Sequence, residues 1–110
     1  QILQVILNLM TNARQALDDL DIEEKKILVR THANSDEITL EVSDNGPGIS
    51  EELRDKIFDP FFTTKEVGKG TGLGLSISMG IITDHQGKLL VDTNEMGGAT
   101  FKVVLPMDKE

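Results

Sequence analysis

From Glu37 to Ser43 the chain alternates without a break, Ile38, Leu40 and Val42 against Thr39, Glu41 and Ser43. No other stretch constrains the fold as tightly, because a period of two describes a strand with one apolar and one wet face. Such a strand belongs in an antiparallel sheet covered on one side only. Lys26–His32 reads as its hairpin partner, with Asn34-Ser35-Asp36 supplying the turn. The same arrangement returns later, where Lys88–Thr93 and Ala99–Pro106 flank Asn94–Gly98. In that last strand Ala99, Phe101, Val103 and Leu105 share a face.

The cover is predicted to be helical. Ile2, Ile6, Leu9, Ala13, Ala16 and Leu17 recur at helical spacing, while Gln4, Asn8, Asn12 and Gln15 form a polar stripe of amides. Asp18–Glu24 reads as a solvated connector. Ser50 followed by Glu51 and Glu52 starts a short helix, since acid in the first turn suits the dipole, and Pro60 ends it. A further helix is predicted over Leu73–Gln86, with Leu73, Ile77 and Ile81 on one side and Gly87 as its stop. Antiparallel pairs with segregated helices make an α+β two-layer sandwich.

Composition narrows the function. A chain of 110 residues is one domain. With 19 acidic against 11 basic side chains it carries a net charge of −8, unlike the basic footprint of a nucleic-acid binder. No direct contact with an anionic membrane surface is expected either. A polyanionic ligand is admissible only if a metal and backbone N–H groups offset the repulsion locally. The chain has no cysteine, which removes disulfides and thiolate metal sites and is consistent with a reducing compartment. Gln1–Met10 is apolar but lacks a basic leader and a small-residue cleavage site, so a signal peptide is not expected. The chain opens without Met inside a helical pattern, which suggests an N-terminally truncated fragment of something longer.

Three motifs carry chemistry. Gly68-Lys69-Gly70-Thr71-Gly72-Leu73-Gly74 fits neither the Walker A nor the dinucleotide pattern, but it feeds a helix N-terminus whose N–H groups suit phosphate oxygens. Asn8 and Asn12, four residues apart on one helix, project to the same side. Their amide oxygens are hard ligands suited to Mg²⁺, although such a pair also satisfies backbone groups at a helix edge. Asp44 ends a strand and runs into Asn45-Gly46-Pro47-Gly48. An ionised carboxylate there can accept a hydrogen bond from an exocyclic amine, and it equally suits the first position of an Asp-Asn-Gly bend.

Taken in order, these motifs resemble the catalytic ATP-binding domain of bacterial two-component sensor histidine kinases, within the superfamily shared with gyrase and mismatch-repair ATPases. Asn8-Leu9-Met10-Thr11-Asn12-Ala13 looks like the N box, and Asp44-Asn45-Gly46-Pro47-Gly48-Ile49 like the first glycine box. Phe58-Asp59-Pro60-Phe61-Phe62-Thr63-Thr64-Lys65 resembles the F box, Gly70-Thr71-Gly72-Leu73-Gly74-Leu75 the second glycine box, and Gly97-Gly98-Ala99-Thr100-Phe101 the closing one. The resemblance covers residues 1–110 almost entirely and implies a mixed sheet with helices on one face.

It also implies roles. Asn8 and Asn12 would hold Mg²⁺ against the triphosphate of ATP. Asp44 would read the adenine amine with Thr100 supporting that contact. Gly46, Gly48, Gly70, Gly72 and Gly74, with Ile49, Thr71 and Leu73 among them, would line the base and phosphates. Lys65 and Lys69 would supply positive charge from a lid. Only Glu66-Val67-Gly68-Lys69 separates the F box from the second glycine box, a short lid like that of the nitrogen-regulation type. Gln15 stands where many members carry Lys or Arg.

Hydrolysing members of the superfamily resemble one another in a Glu four residues before the Mg²⁺-binding Asn, where it activates water. Here that position is Asn8, an amide without useful basicity. The resemblance therefore implies a kinase domain with no catalytic side chain of its own. It would present the Mg-ATP γ-phosphate to a histidine on a separate dimerisation domain, with a response regulator downstream. His32 and His85 lack the acidic neighbour of a phosphoacceptor helix, so the chain is not expected to autophosphorylate alone. The implied location is the cytoplasm, whatever anchors the parent protein. A non-catalytic nucleotide-binding interaction module is the alternative, and a gyrase-type ATPase a second one that Asn8 opposes.

Overall fold

The computed structural model describes residues 2–18, 20–54, 56–59 and 74–107. In chain order these form α1 (Ile2–Asp18), β1 (Ile27–Ala33), β2 (Glu37–Asp44), α2 (Glu51–Arg54), α3 (Gly74–Asp84), β3 (Lys88–Thr93) and β4 (Ala99–Pro106). Both predicted hairpins form, β1 with β2 and β3 with β4. The sheet has four strands in the order β1-β2-β4-β3. Asn34 closes the first hairpin, its Oδ1 accepting from the amides of Asp36 and Glu37 at 2.8 Å each.

The layer architecture is the expected α+β sandwich, but the described strands pair antiparallel throughout, where a mixed sheet was implied. The reason is topological. A helical crossover from β2 to β3 returns the chain in the same direction, and β4 inserts between the two, antiparallel to both.

Helices α1 and α3 pack on each other and on the face of the sheet carrying Val42, Phe101 and Val103. That face, with Leu9, Val5 and Ile82 from the helices, is the core. In α1 the buried line is Val5, Leu9, Ala13 and Leu17. Val5 therefore belongs to the core, and Ile2, Ile6 and Ala16 are half-buried beside it. In α3 the predicted side is displaced by one residue. Ser78 and Ile82 are buried, whereas Ile77 is 43% exposed. The displacement follows from α1, whose Asn8 faces α3 and is matched by the small hydroxyl of Ser78.

The stop of α3 also shifts by one. Gln86 adopts a φ of 63°, its amide donates to Thr83 O at 2.9 Å, and the Gly87 amide donates to Ile82 O at 2.9 Å. This is a Schellman end with the left-handed residue at Gln86. Gly87 is needed for another reason. A Cβ there would lie 2.5 Å from Val104 O and 2.8 Å from Leu105 Cδ2.

Candidate functional site

Asp44 ends β2 on the helix-facing side of the sheet and is 2% exposed. Its Oδ1 accepts from the Gly46 amide at 2.9 Å and from the Ala99 amide at 3.4 Å. The first bond is the turn contact that an Asp-Asn-Gly sequence favours. The second comes from across the sheet and fixes the carboxylate against β4. Gly98 makes that approach possible, since a Cβ there would collide with the Asp44 carbonyl oxygen and sit 2.6 Å from Oδ1.

The neighbouring residues shape the niche. At Gly46 a Cβ would lie 3.0 Å from Asp44 Oδ1 and 3.5 Å from Ala16 O, so the turn is pressed against the last turns of α1. Gly48 has a φ of +76°, and a Cβ would lie 3.1 Å from Gly97 O, which brings this loop beside the β3–β4 turn. Ile49 packs against the core cluster, and its carbonyl accepts from Arg54 Nε at 3.4 Å. Asn45 looks outward, its Nδ2 donating to Glu24 O at 2.7 Å and its Oδ1 accepting from the Lys26 amide at 2.8 Å. It clasps the connector to the end of β2 and leaves Asp44 as the inward group.

Asn8 and Asn12 lie one turn apart on α1, both half-buried. Asn8 Nδ2 donates to Ser78 Oγ at 3.2 Å and to Gly74 O at 3.4 Å. The nitrogen end of the amide is thus committed to the start of α3, which sets the direction of its oxygen. Gly74 is the first residue of α3, and a Cβ there would meet nothing within 4 Å, so its contribution is its carbonyl rather than its missing side chain.

Thr100 is placed apart from the carboxylate it was expected to support. It pairs with Ser43, one residue before Asp44, so both hydroxyls stand on the helix-free face, 2.8 Å from each other. The residue that faces Asp44 from β4 is Ala99, through its backbone amide. Only the strand register reveals this. Lys65, Lys69, Gly70, Thr71, Gly72 and Leu73 lie outside the described residues. His32 Nε2 lies 3.4 Å from Glu41 Oε2 on the helix-free face, and His85 Nδ1 lies 2.8 Å from Ile81 O at the end of α3, so both have structural partners.

The family described as histidine kinase-, DNA gyrase B-, and HSP90-like ATPase has a model that matches residues 1–109. The chain belongs to this family. Among members similar to it is the sensor protein FixL of Bradyrhizobium diazoefficiens, 42% identical over 110 residues, 100% of this chain and 21% of FixL. The signal transduction histidine-protein kinase AtoS of Escherichia coli is 44% identical over 108 residues, 97% of this chain and 17% of AtoS. Of solved structures, the histidine kinase ThkA in complex with the response regulator protein TrrA superposes with a TM-score of 0.80 at 38% identity, over 98% of this chain and 29% of that one. The chain thus spans roughly a fifth or less of the relatives' length, 12% of the sensor kinase CckA of Brucella abortus. The fold and motif order agree with membership: the N-box amides, the Asp44 turn and the start of α3 come together around α1.

Proposed function

We propose that this chain is the ATP-binding catalytic domain of a sensor histidine kinase, presenting the γ-phosphate of Mg-ATP to a histidine on a dimerisation domain. The observation that carries the reading is Asp44, buried at 2% exposure in a glycine-lined niche, with its described hydrogen bonds converging on Oδ1. A carboxylate held this way accepts a hydrogen bond from the exocyclic amine of adenine through its other oxygen. The start of α3 is a helix N-terminus, whose positive dipole end suits phosphate oxygens.

The amides fit a Mg²⁺ ion. Asn8 spends its nitrogen on Gly74 and Ser78, which leaves its hard carbonyl oxygen as the group available for a cation. Among the described residues no three His, Cys, Asp or Glu side chains gather as they would around a metal, so Asn8 and Asn12 with water and phosphate oxygens would make up its shell. When bound, the ion would neutralise triphosphate charge, which a domain of net charge −8 needs. Ala99 and Gly46 orient the base-reading carboxylate, and Asn8 contributes no base to activate water. Phosphoryl transfer here therefore depends on positioning and on a nucleophile from elsewhere.

The similarity to FixL and AtoS supports the kinase reading, and the ThkA complex supports a response regulator as the downstream partner. Cytoplasmic placement belongs to the same proposal. Among the described residues no helix is long and apolar enough to cross a membrane. The test is calorimetric titration with a non-hydrolysable ATP analogue, with and without Mg²⁺. A Mg²⁺-dependent dissociation constant on the order of 10–100 μM is expected, about −5.5 to −7 kcal/mol. A folded chain that binds no nucleotide would sink the reading.

A further inference from the structure

Asn94 stands between β3 and β4, outside every motif used so far. Its side chain nonetheless makes five hydrogen bonds beside Asp44. Nδ2 donates to Asp44 O at 3.0 Å, Ala99 O at 3.1 Å and Thr100 Oγ1 at 3.2 Å. Oδ1 accepts from the Met96 amide at 2.9 Å and the Gly98 amide at 3.1 Å. The orientation of the amide is unambiguous, because carbonyls only accept and backbone N–H groups only donate.

The two ends of the side chain do different work. The oxygen closes the β3–β4 turn, as an Asn does in many turns. The nitrogen reaches across to β2 and ties that turn to the main chain of Asp44. The tie matters because the Ala99 amide, one residue beyond Gly98, is one of the two donors that hold Asp44 Oδ1. The ladders hold Thr100 against Ser43 and Ala99 against Thr93, and the Asn94 nitrogen extends that hold to the main chain of Asp44 itself.

We propose that Asn94 is a positioning residue for nucleotide recognition: by binding Asp44 and Ala99 together it holds the Asp44 carboxylate in the orientation that accepts the base amine. Asn94 touches no base and acts through Asp44. The inference rests on the reading of Asp44 proposed above.

Asn94→Asp tests it. The substitution is nearly isosteric and keeps an oxygen for the Met96 and Gly98 amides, but it sets a carboxylate oxygen against the Asp44 and Ala99 carbonyls. The whole chain is titrated calorimetrically, in Mg²⁺, with a non-hydrolysable ATP analogue and with purine riboside triphosphate, which has hydrogen in place of the amine. The parent should prefer the ATP analogue by about tenfold, the worth of one hydrogen bond to a charged group. In Asn94→Asp that preference should shrink to within about twofold, with purine riboside triphosphate bound as by the parent. Asn94→Ser, which keeps a turn acceptor but is too short to reach Asp44, should behave the same way, and melting curves establish that each variant is folded. If the folded variants weaken both ligands equally, or keep the parent's preference, the role assigned to Asn94 is overturned. A parent that binds both ligands alike instead refutes the Asp44 reading, and this inference with it.

Discussion

An asparagine at position 44 would keep an oxygen within reach of the Gly46 and Ala99 amides, but would set an NH₂ group where the second carboxylate oxygen stands. Donor would then face donor at the base. Asp44→Asn should therefore weaken the ATP analogue by about ten- to a hundredfold, the range for a hydrogen bond to a charged group. Its melting temperature should stay near that of the parent, because the turn keeps its acceptor. Titration and thermal melting together check this, and a variant that binds like the parent removes Asp44 from the adenine site. Gly98→Ala tests the same niche from the other strand. Its Cβ would collide with the Asp44 carbonyl, so β4 has to retreat. A loss of about 1–3 kcal/mol in stability is expected, as for other overpacked sites, together with loss of nucleotide binding. The Asp44 turn was legible in the sequence because its chemistry is local. The face that Thr100 occupies was not legible, because it depends on the register of β2 against β4.

Along α3 the same contrast between local and non-local signals appears. Gly87 is the residue a sequence reading takes for the helix stop, yet the left-handed position falls on Gln86, with a φ of 63°. Glycine at 86 relieves that conformation, so Gln86→Gly should raise stability by about 0.5–1 kcal/mol, the usual cost of a side chain in the left-handed region less the entropy of a more flexible unfolded chain. Gly87→Ala should do the opposite, because a Cβ there would meet Val104 O at 2.5 Å. Urea midpoints at unchanged slope distinguish the two, and a Gln86→Gly variant less stable than the parent would count against the assignment. Elements with strict periodicity were read correctly from the residues alone: both hairpins and the start of α1 lie where alternation and helical spacing put them. The buried side of α3 was not, because Ile77 is exposed and Ser78 buried for a reason that lies on another element, the amide of Asn8.

For the whole molecule the question is how a sandwich of net charge −8 responds to a ligand that is itself an anion. The apolar layer around Leu9, Ile82 and Phe101 stabilises the domain irrespective of ligand. The groups proposed to bind nucleotide come from α1, the end of β2, the start of α3 and the start of β4, so nucleotide is expected to bind only when the layers are assembled. A ligand that binds only the folded state at about a hundred times its dissociation constant contributes about 2.7 kcal/mol. In a domain of this size that corresponds to a rise of about 10 °C or more in melting temperature. The rise should need Mg²⁺ and should largely vanish with chelator, since the described residues offer amides rather than cations where the triphosphate is expected. Over the same incubation with hydrolysable ATP, free phosphate should stay at the uncatalysed level, because Asn8 engages Ser78 and Gly74 and cannot serve as a base. Steady phosphate release by the purified chain would mean that another group activates water, and the domain would have to be read as an ATPase.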